Sequence, residues 1–176
     1  CFDMSRIVSG MASVENPSLI HAPGEADSAN SARAVIADIQ DAFRKSDYPR
    51  IAARFHSDID WLFHGPTSIF PEIGHRRGKV AVFQTFAALN ERYRFDRHVT
   101  DHLIAEGNWG AGVAEVALTQ RDSGRTIRVR VASFFRIENG LVLEYRGFTD
   151  SFDAVEQVLG KIIEFNGQDA PESRNP

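Results

Sequence analysis

The chain has 176 residues, of which 43% are apolar and 25% charged, a composition for one compact soluble domain with length left for loose tails, and not for a disordered, collagen-like or coiled-coil chain. Its 24 acidic groups exceed its 20 basic ones, a formal net charge of -4, and no cluster of Lys or Arg marks a phosphate-tracking face, so nucleic acid is not an expected partner. A single cysteine, Cys1, supplies neither an internal disulfide nor a cysteine-based zinc site; no apolar run approaches the roughly 18 residues needed to span a bilayer, so no membrane contact and a cytoplasmic location are expected.

Residues 1–30 mix Gly, Pro, Ser and Asn with isolated apolar residues and hold no sustained periodicity, which predicts a flexible N-terminal arm or leader. The folded domain is expected over 31–160, followed by a polar tail over 161–176. Val35, Ile36, Ile39, Ala42 and Phe43 recur at helical spacing with Asp38, Asp41, Arg44 and Lys45 opposite, predicting a first helix over 32–46. Tyr48-Pro49 opens a short second helix that stops near His56 or Ser57. IDWLF then reads as a strand, and GPTSIFPEIGHRRG, with its prolines and glycines, as a loop. A third helix runs from Lys79 to Arg92 on Val80, Val82, Phe83, Phe86, Ala87 and Leu89.

From Tyr93 the pattern changes. RYRFDRHVTDHLIAE, WGAGVAEVALTQ, RTIRVRVASFFRI and LVLEYRGFT are separated by the turn signals Gly107-Asn108, Asp122-Ser123-Gly124 and Asn139-Gly140, which predicts an antiparallel meander of four strands. Asp150 is placed as the N-cap of a closing helix through about Leu159. The order predicts an α+β fold with helices packed on one face of a curved sheet.

The turns set the register, and register decides which side chains share a face. With Asp122-Ser123 at the hairpin tip, Val116 opposes Val129, Ala114 opposes Val131 and Gly112 opposes Ser133 on an apolar, inner face, while Glu115–Arg130 and Ala117–Arg128 pair on the outer one. The same logic across Gly107-Asn108 sets Val99 beside Val116, Asp101 beside Ala114 and Leu103 beside Gly112. Asp101 then falls inside, with His98 and His102 outside near Glu115 and Arg130. A slip by one residue would exchange Asp101 with these histidines.

AFRKSD with its short following helix, DIDWLFHGP, GHRRGKVAVFQTF, the turn SGR and FFRIENGLVLEYRGFTD, in this order over residues 32 to 159, resemble the ketosteroid-isomerase-related, SnoaL-like group of the nuclear-transport-factor-2-like fold. The resemblance implies a cone-shaped α+β barrel whose open end takes a small apolar ligand, in a homodimer formed through the outer sheet face. Chemistry does not carry over as simply. The base-bearing aspartate of ketosteroid isomerases matches Phe63 here, their oxyanion-hole tyrosine falls near Ile39, and their protonated aspartic acid near Ser133. The arginine and two aspartates of limonene epoxide hydrolases fall near Ala114, Val116 and Gly147. Neither mechanism transfers, whereas polyketide cyclases and dehydratases of this fold use less uniform positions and stay open.

Candidate catalytic residues follow from the register and the loops. Asp101 is the one carboxylate aligned with the apolar side, and burial makes a carboxyl hold its proton, as a general acid or base near neutral pH requires. His64, before Gly65-Pro66, is suited to proton shuttling at the mouth of a cone. The expected ligand pocket comprises Trp61, Phe63, His75, Phe86, Arg97, Val116, Ser133 and Tyr145, with Ser133 and Tyr145 able to orient a ligand oxygen and Arg97 able to meet an acidic group. No three ligands with metal spacing are evident among the 6 histidines, and no cofactor motif is present, so neither metal nor cofactor is expected. The first reading is a cofactor-independent acid–base isomerase, cyclase or dehydratase acting on a polyketide- or steroid-like oxygenated compound. A non-catalytic small-molecule-binding or dimerisation module is the alternative, and an accessory subunit of a ring-hydroxylating complex a third.

Overall fold

The computed structural model describes residues 31–164; the expected arm and the far part of the tail lie outside the described residues. Within them the order is α1 (Ala32–Arg44), α2 (Tyr48–Ala53), β1 (Phe55–Phe63), β2 (Gly74–Arg77), α3 (Lys79–Arg92), β3 (Tyr93–Glu106), β4 (Trp109–Gln120), β5 (Thr126–Glu138), β6 (Leu141–Thr149) and α4 (Ser151–Leu159). The strands form one curved, open sheet in the order β2-β1-β6-β5-β4-β3. The meander from β3 to β6 is antiparallel, and β1 joins it parallel to β6. The architecture is the expected α+β one. Among the described residues no helix is long and apolar enough to cross a membrane.

Local chemistry accounts for the elements. Ser31 caps α1 by accepting from Ala34 N at 3.3 Å. The stripe of Val35, Ile36, Ile39 and Ala42 is buried against the sheet with Ile51, Phe55, Ile59, Trp61, Val82 and Phe86. The polar side of α1 clamps α2: Asp38 takes Arg50 and, at 2.6 Å, Arg54, while Asp41 takes Arg50 at 2.7 Å. Asn139 and Gly140 both have positive φ, 50° and 76°, the conformation of a two-residue hairpin turn whose twist matches its strands. Asp150 accepts from Phe152 N and Asp153 N, both at 3.1 Å, and caps α4 as expected.

Three expectations need correction. The segment read as a loop contains β2, whose His75 pairs with Leu62 at the sheet edge; four residues between prolines and glycines are too short to show an alternating pattern. The first strand starts at Phe55, not near Ile59, its pairing with β6 being irregular between Phe55 and Asp60. Val80 and Phe83, counted with the apolar face of α3, are 72% and 40% exposed; only Val82, Thr85 and Phe86 of that helix are buried.

The β4–β5 register is the expected one throughout, from Gly112↔Ser133 to Ala117↔Arg128. The β3–β4 register agrees at Leu103↔Gly112 and then departs. A bulge at Asp101 and a second at Asp96 each place one extra residue on β3, so that Thr100 faces Ala114, His98 faces Val116 and Val99 faces Glu115. A bulge sets two neighbours on the same side of a strand. Asp101 therefore joins His102 on the outer face, and everything between the bulges changes sides.

Candidate functional site

The inner face of the sheet and α1, α3 and α4 enclose a cavity of about 190 Å³. Its walls are largely aromatic and aliphatic. Trp61 and Phe63 of β1 alternate onto the inner face beside Tyr145 and Gly147 of β6, and Phe86 reaches in from α3, its ring 6.4 Å from Trp61. Gly65, Pro66, Phe70 and Ile73, from the segment between β1 and β2, complete the wall on that side. Six expected pocket residues, Trp61, Phe63, Phe86, Val116, Ser133 and Tyr145, line this cavity.

Its polar groups are few. Ser133 Oγ and Tyr145 Oη lie 3.1 Å apart. The Tyr145 ring stacks on Trp61 at 5.7 Å and meets Phe135 edge-on at 5.2 Å, and this burial pushes its phenol up to about 12, the Ser133 hydrogen bond opposing it. Tyr145 is thus a neutral hydroxyl at any ordinary pH, able to donate to a ligand oxygen. The Gln40 amide of α1 approaches the same end, 3.5 Å from where a Cβ on Gly112 would stand.

On the opposite strand, β3 presents His98. Its ring lies parallel to Phe43 at 5.6 Å, it lines the cavity, and its buried Nδ1 has no hydrogen-bond partner. Burial, with Arg44 nearby, holds the imidazole below the usual histidine range, so the neutral, proton-accepting form prevails at neutral pH. Sequence reasoning put His98 outside because a strict period of two was carried through Asp101. The signal lay in Asp96-Arg97 and Asp101-His102, two pairs of adjacent polar residues that an inner–outer alternation cannot seat.

The other expected site residues stand elsewhere. Asp101 is on the outer face, paired with Arg130, so the bulge overturns its expected inward placement. Arg97 is also outside, 3.3 Å from Glu115. His64 follows β1 at the rim, its N–H donating to Gly147 O at 2.8 Å, and its ring stacks on the exposed Phe148 at 4.4 Å rather than facing inward. His75 donates to Asp60 on the outer side of β2, where Arg146 joins at 2.9 Å. Hydrogen bonds from these two groups hold the Asp60 carboxyl below its ordinary range. Among the described residues no cluster of three or more His, Cys, Asp or Glu could hold a metal ion.

Comparison with known proteins agrees with this architecture. A candidate isomerase from Rhodopseudomonas palustris is 29% identical with a TM-score of 0.65, covering 72% of this chain and 93% of its own. An NTF2-like protein from Burkholderia thailandensis is 24% identical with a TM-score of 0.64, over 73% and 97% of the two chains. An epoxide hydrolase of the limonene-epoxide-hydrolase type from Mycobacterium tuberculosis shares the fold at 16% identity and a TM-score of 0.61, over 73% and 90%. No curated protein matches. The profile of the SnoaL-like domain matches residues 36–145, a stretch that runs from the buried face of α1 to Tyr145 in the cavity wall, and the chain belongs to the SnoaL-like domain family within the NTF2-like fold.

Proposed function

We propose that the protein is a cofactor-independent acid–base enzyme acting on a small, largely apolar compound with a carbonyl group, of polyketide or steroid type. Isomerisation, cyclisation and dehydration of such a compound share one demand: a proton leaves the carbon beside the carbonyl while charge gathers on its oxygen. His98, neutral in its apolar setting, is the proton acceptor, and Tyr145, backed by Ser133, donates to the oxygen. The observation that carries this reading is the unpartnered His98 Nδ1 in the wall of a cavity that also holds the Ser133–Tyr145 hydroxyl pair. The rest of the wall is largely apolar, which strengthens both interactions.

The test is solvent deuterium incorporation beside the carbonyl of decan-2-one, followed by NMR. Exchange faster than in buffer, lowered about 100-fold or more in His98→Gln and less in Tyr145→Phe, is expected. Exchange no faster than in buffer would favour the alternative, a non-catalytic binding module. The partner is a second copy of the chain, docked through the outer sheet face. Trp109, Phe134 and Phe148 are 49%, 48% and 39% exposed there, beside the Arg130–Asp101 and Arg136–Glu144 pairs, a surface both apolar and self-complementary in charge. Light scattering at micromolar concentration should return twice the chain mass, and Phe134→Lys should return the single mass.

A further inference from the structure

Three buried side-chain polar atoms lack a hydrogen-bond partner among the described residues: His98 Nδ1, Tyr93 Oη and Glu72 Oε2. A buried polar atom without a partner costs about 1–3 kcal/mol, so each such group asks what completes it. His98 is accounted for above. Tyr93 is the next inward-facing residue but one on β3, in the wall of the same cavity. It is 1% exposed. Gln120 stands opposite it in register, its side chain near the phenol but its Oε1 already accepting from Ser123 Oγ at 2.8 Å.

The register gives the separation. Ser133 lies opposite Gly112 on β4, His98 opposite Val116 and Tyr93 opposite Gln120. From Gly112 to Gln120 the strand covers about 27 Å of path at about 3.4 Å per residue, less the curvature of the sheet. Between the two ends the wall is Ala114, Val116, Leu118, Ile127, Val129 and Val131, which offers no side-chain hydrogen bond. Hydrogen-bonding side chains therefore stand at both ends of an apolar slot, with His98 between them.

We infer that Tyr93 forms a second polar subsite at the far end of the cavity, so that the ligand is elongated, apolar in its middle and oxygenated at both ends. Resting on the proposed pocket, this narrows its ligand class. The far group is an oxygen that accepts from the neutral phenol. Burial raises the Tyr93 phenol, the Arg92 charge opposing this and Glu72, its carboxylate 5% exposed and held by Arg92 at 2.6 Å, adding to it. Arg92, its guanidinium 5.4 Å over the Tyr93 ring, is committed to Glu72, which leaves the phenol hydroxyl to meet the ligand. A hydroxyl suits the place best, since it can accept from Tyr93 and still donate.

The experiment measures binding of hexadecan-1-ol and hexadecane-1,16-diol, long enough to reach along that path, to the full chain through the fluorescence of Trp61, in a Trp109→Phe background that removes the exterior indole. Tyr93→Phe deletes only the hydroxyl. It should lower the ratio of diol to mono-alcohol affinity about tenfold. An unchanged ratio of the two affinities would overturn the subsite and leave the pocket standing. Failure of both alcohols to bind the Tyr93 protein would overturn the pocket and the subsite together.

Discussion

Ser133 on β5 and Tyr145 on β6 share a hydrogen bond of 3.1 Å without standing opposite each other: Ser133 pairs with Gly147, and Tyr145 with Phe135. The bond is diagonal, and it crosses the space a side chain at Gly147 would fill. A Cβ there would lie 2.5 Å from Phe63 Cδ2 and 2.8 Å from Tyr145 Oη. Gly147→Ala is therefore expected to push both rings aside and cost about 1–3 kcal/mol. Urea unfolding would show it as a lower midpoint at an unchanged slope. Retention of the wild-type midpoint would mean that the rings yield freely and that the floor of the cavity is not fixed by this glycine.

Removing one member of the hydroxyl pair strands the other. Tyr145→Phe leaves Ser133 Oγ without this partner in an apolar wall, and the expected loss is about 1–2 kcal/mol. Ser133→Ala does the reverse to the half-buried Tyr145 phenol. The double variant should be less damaged than the sum of the two, by a coupling of about 1 kcal/mol, which a double-mutant cycle on urea midpoints measures. Strict additivity would mean that the pair is merely adjacent.

Much of this site was legible in the sequence, and the part that was not has one physical origin. Trp61, Phe63, Ser133 and Tyr145 lie on strands whose alternation is unbroken where it matters, so a period of two leads to the cavity wall. On β3 that period fails twice. The bulges at Asp96 and Asp101 add backbone without adding a turn residue, and a sequence marks such insertions only by adjacent polar residues on a strand that should alternate. The consequence is local but large: His98 and Asp101 exchange sides, and the candidate proton acceptor becomes an imidazole instead of a carboxylate. The strand β2 was hidden for another reason. Its pairing with β1 is a tertiary event at the sheet edge, and nothing within Gly74–Arg77 announces it.

Asp101 gives a direct check of that register. As one half of an exposed ion pair with Arg130, it contributes little to stability, about 1 kcal/mol or less. Asp101→Asn should leave alcohol binding and deuterium exchange within about twofold of the parent. A 100-fold loss of exchange would put the carboxylate back in the cavity and remove the bulge.

The edge cluster on β1, β2 and β6 predicts an acid-limb effect. Asp60 is held below its ordinary 3.8 by hydrogen bonds from His75 and Arg146, so the folded state favours the carboxylate more than the unfolded chain does. That stability is fully present above about pH 4 and is lost as the pH falls through the depressed value. Asp60→Asn should cost about 1 kcal/mol at pH 7, and the gap between parent and variant should close below pH 4. A gap that is constant from pH 7 to pH 3 would mean that Asp60 acts through shape alone.

His98 predicts a loss on acidification of the same sign, nearer neutrality. Burial first, and the Arg44 charge second, disfavour its cation, so the folded protein binds a proton there less readily than the unfolded chain, whose histidine titrates near 6.5. Stability is then present above 6.5 and declines as the pH drops toward the folded value, because protonation favours unfolding. Each unit by which the folded value lies below 6.5 is worth about 1.4 kcal/mol once the pH is under both. His98→Gln has nothing to titrate, so its urea midpoint should fall less than the parent's between pH 7.5 and pH 5. NMR of the imidazole carbons in the parent should give His98 a midpoint below 6.5. A midpoint above 7 would mean a charged ring at neutral pH, and with it the loss of the group proposed to accept the proton.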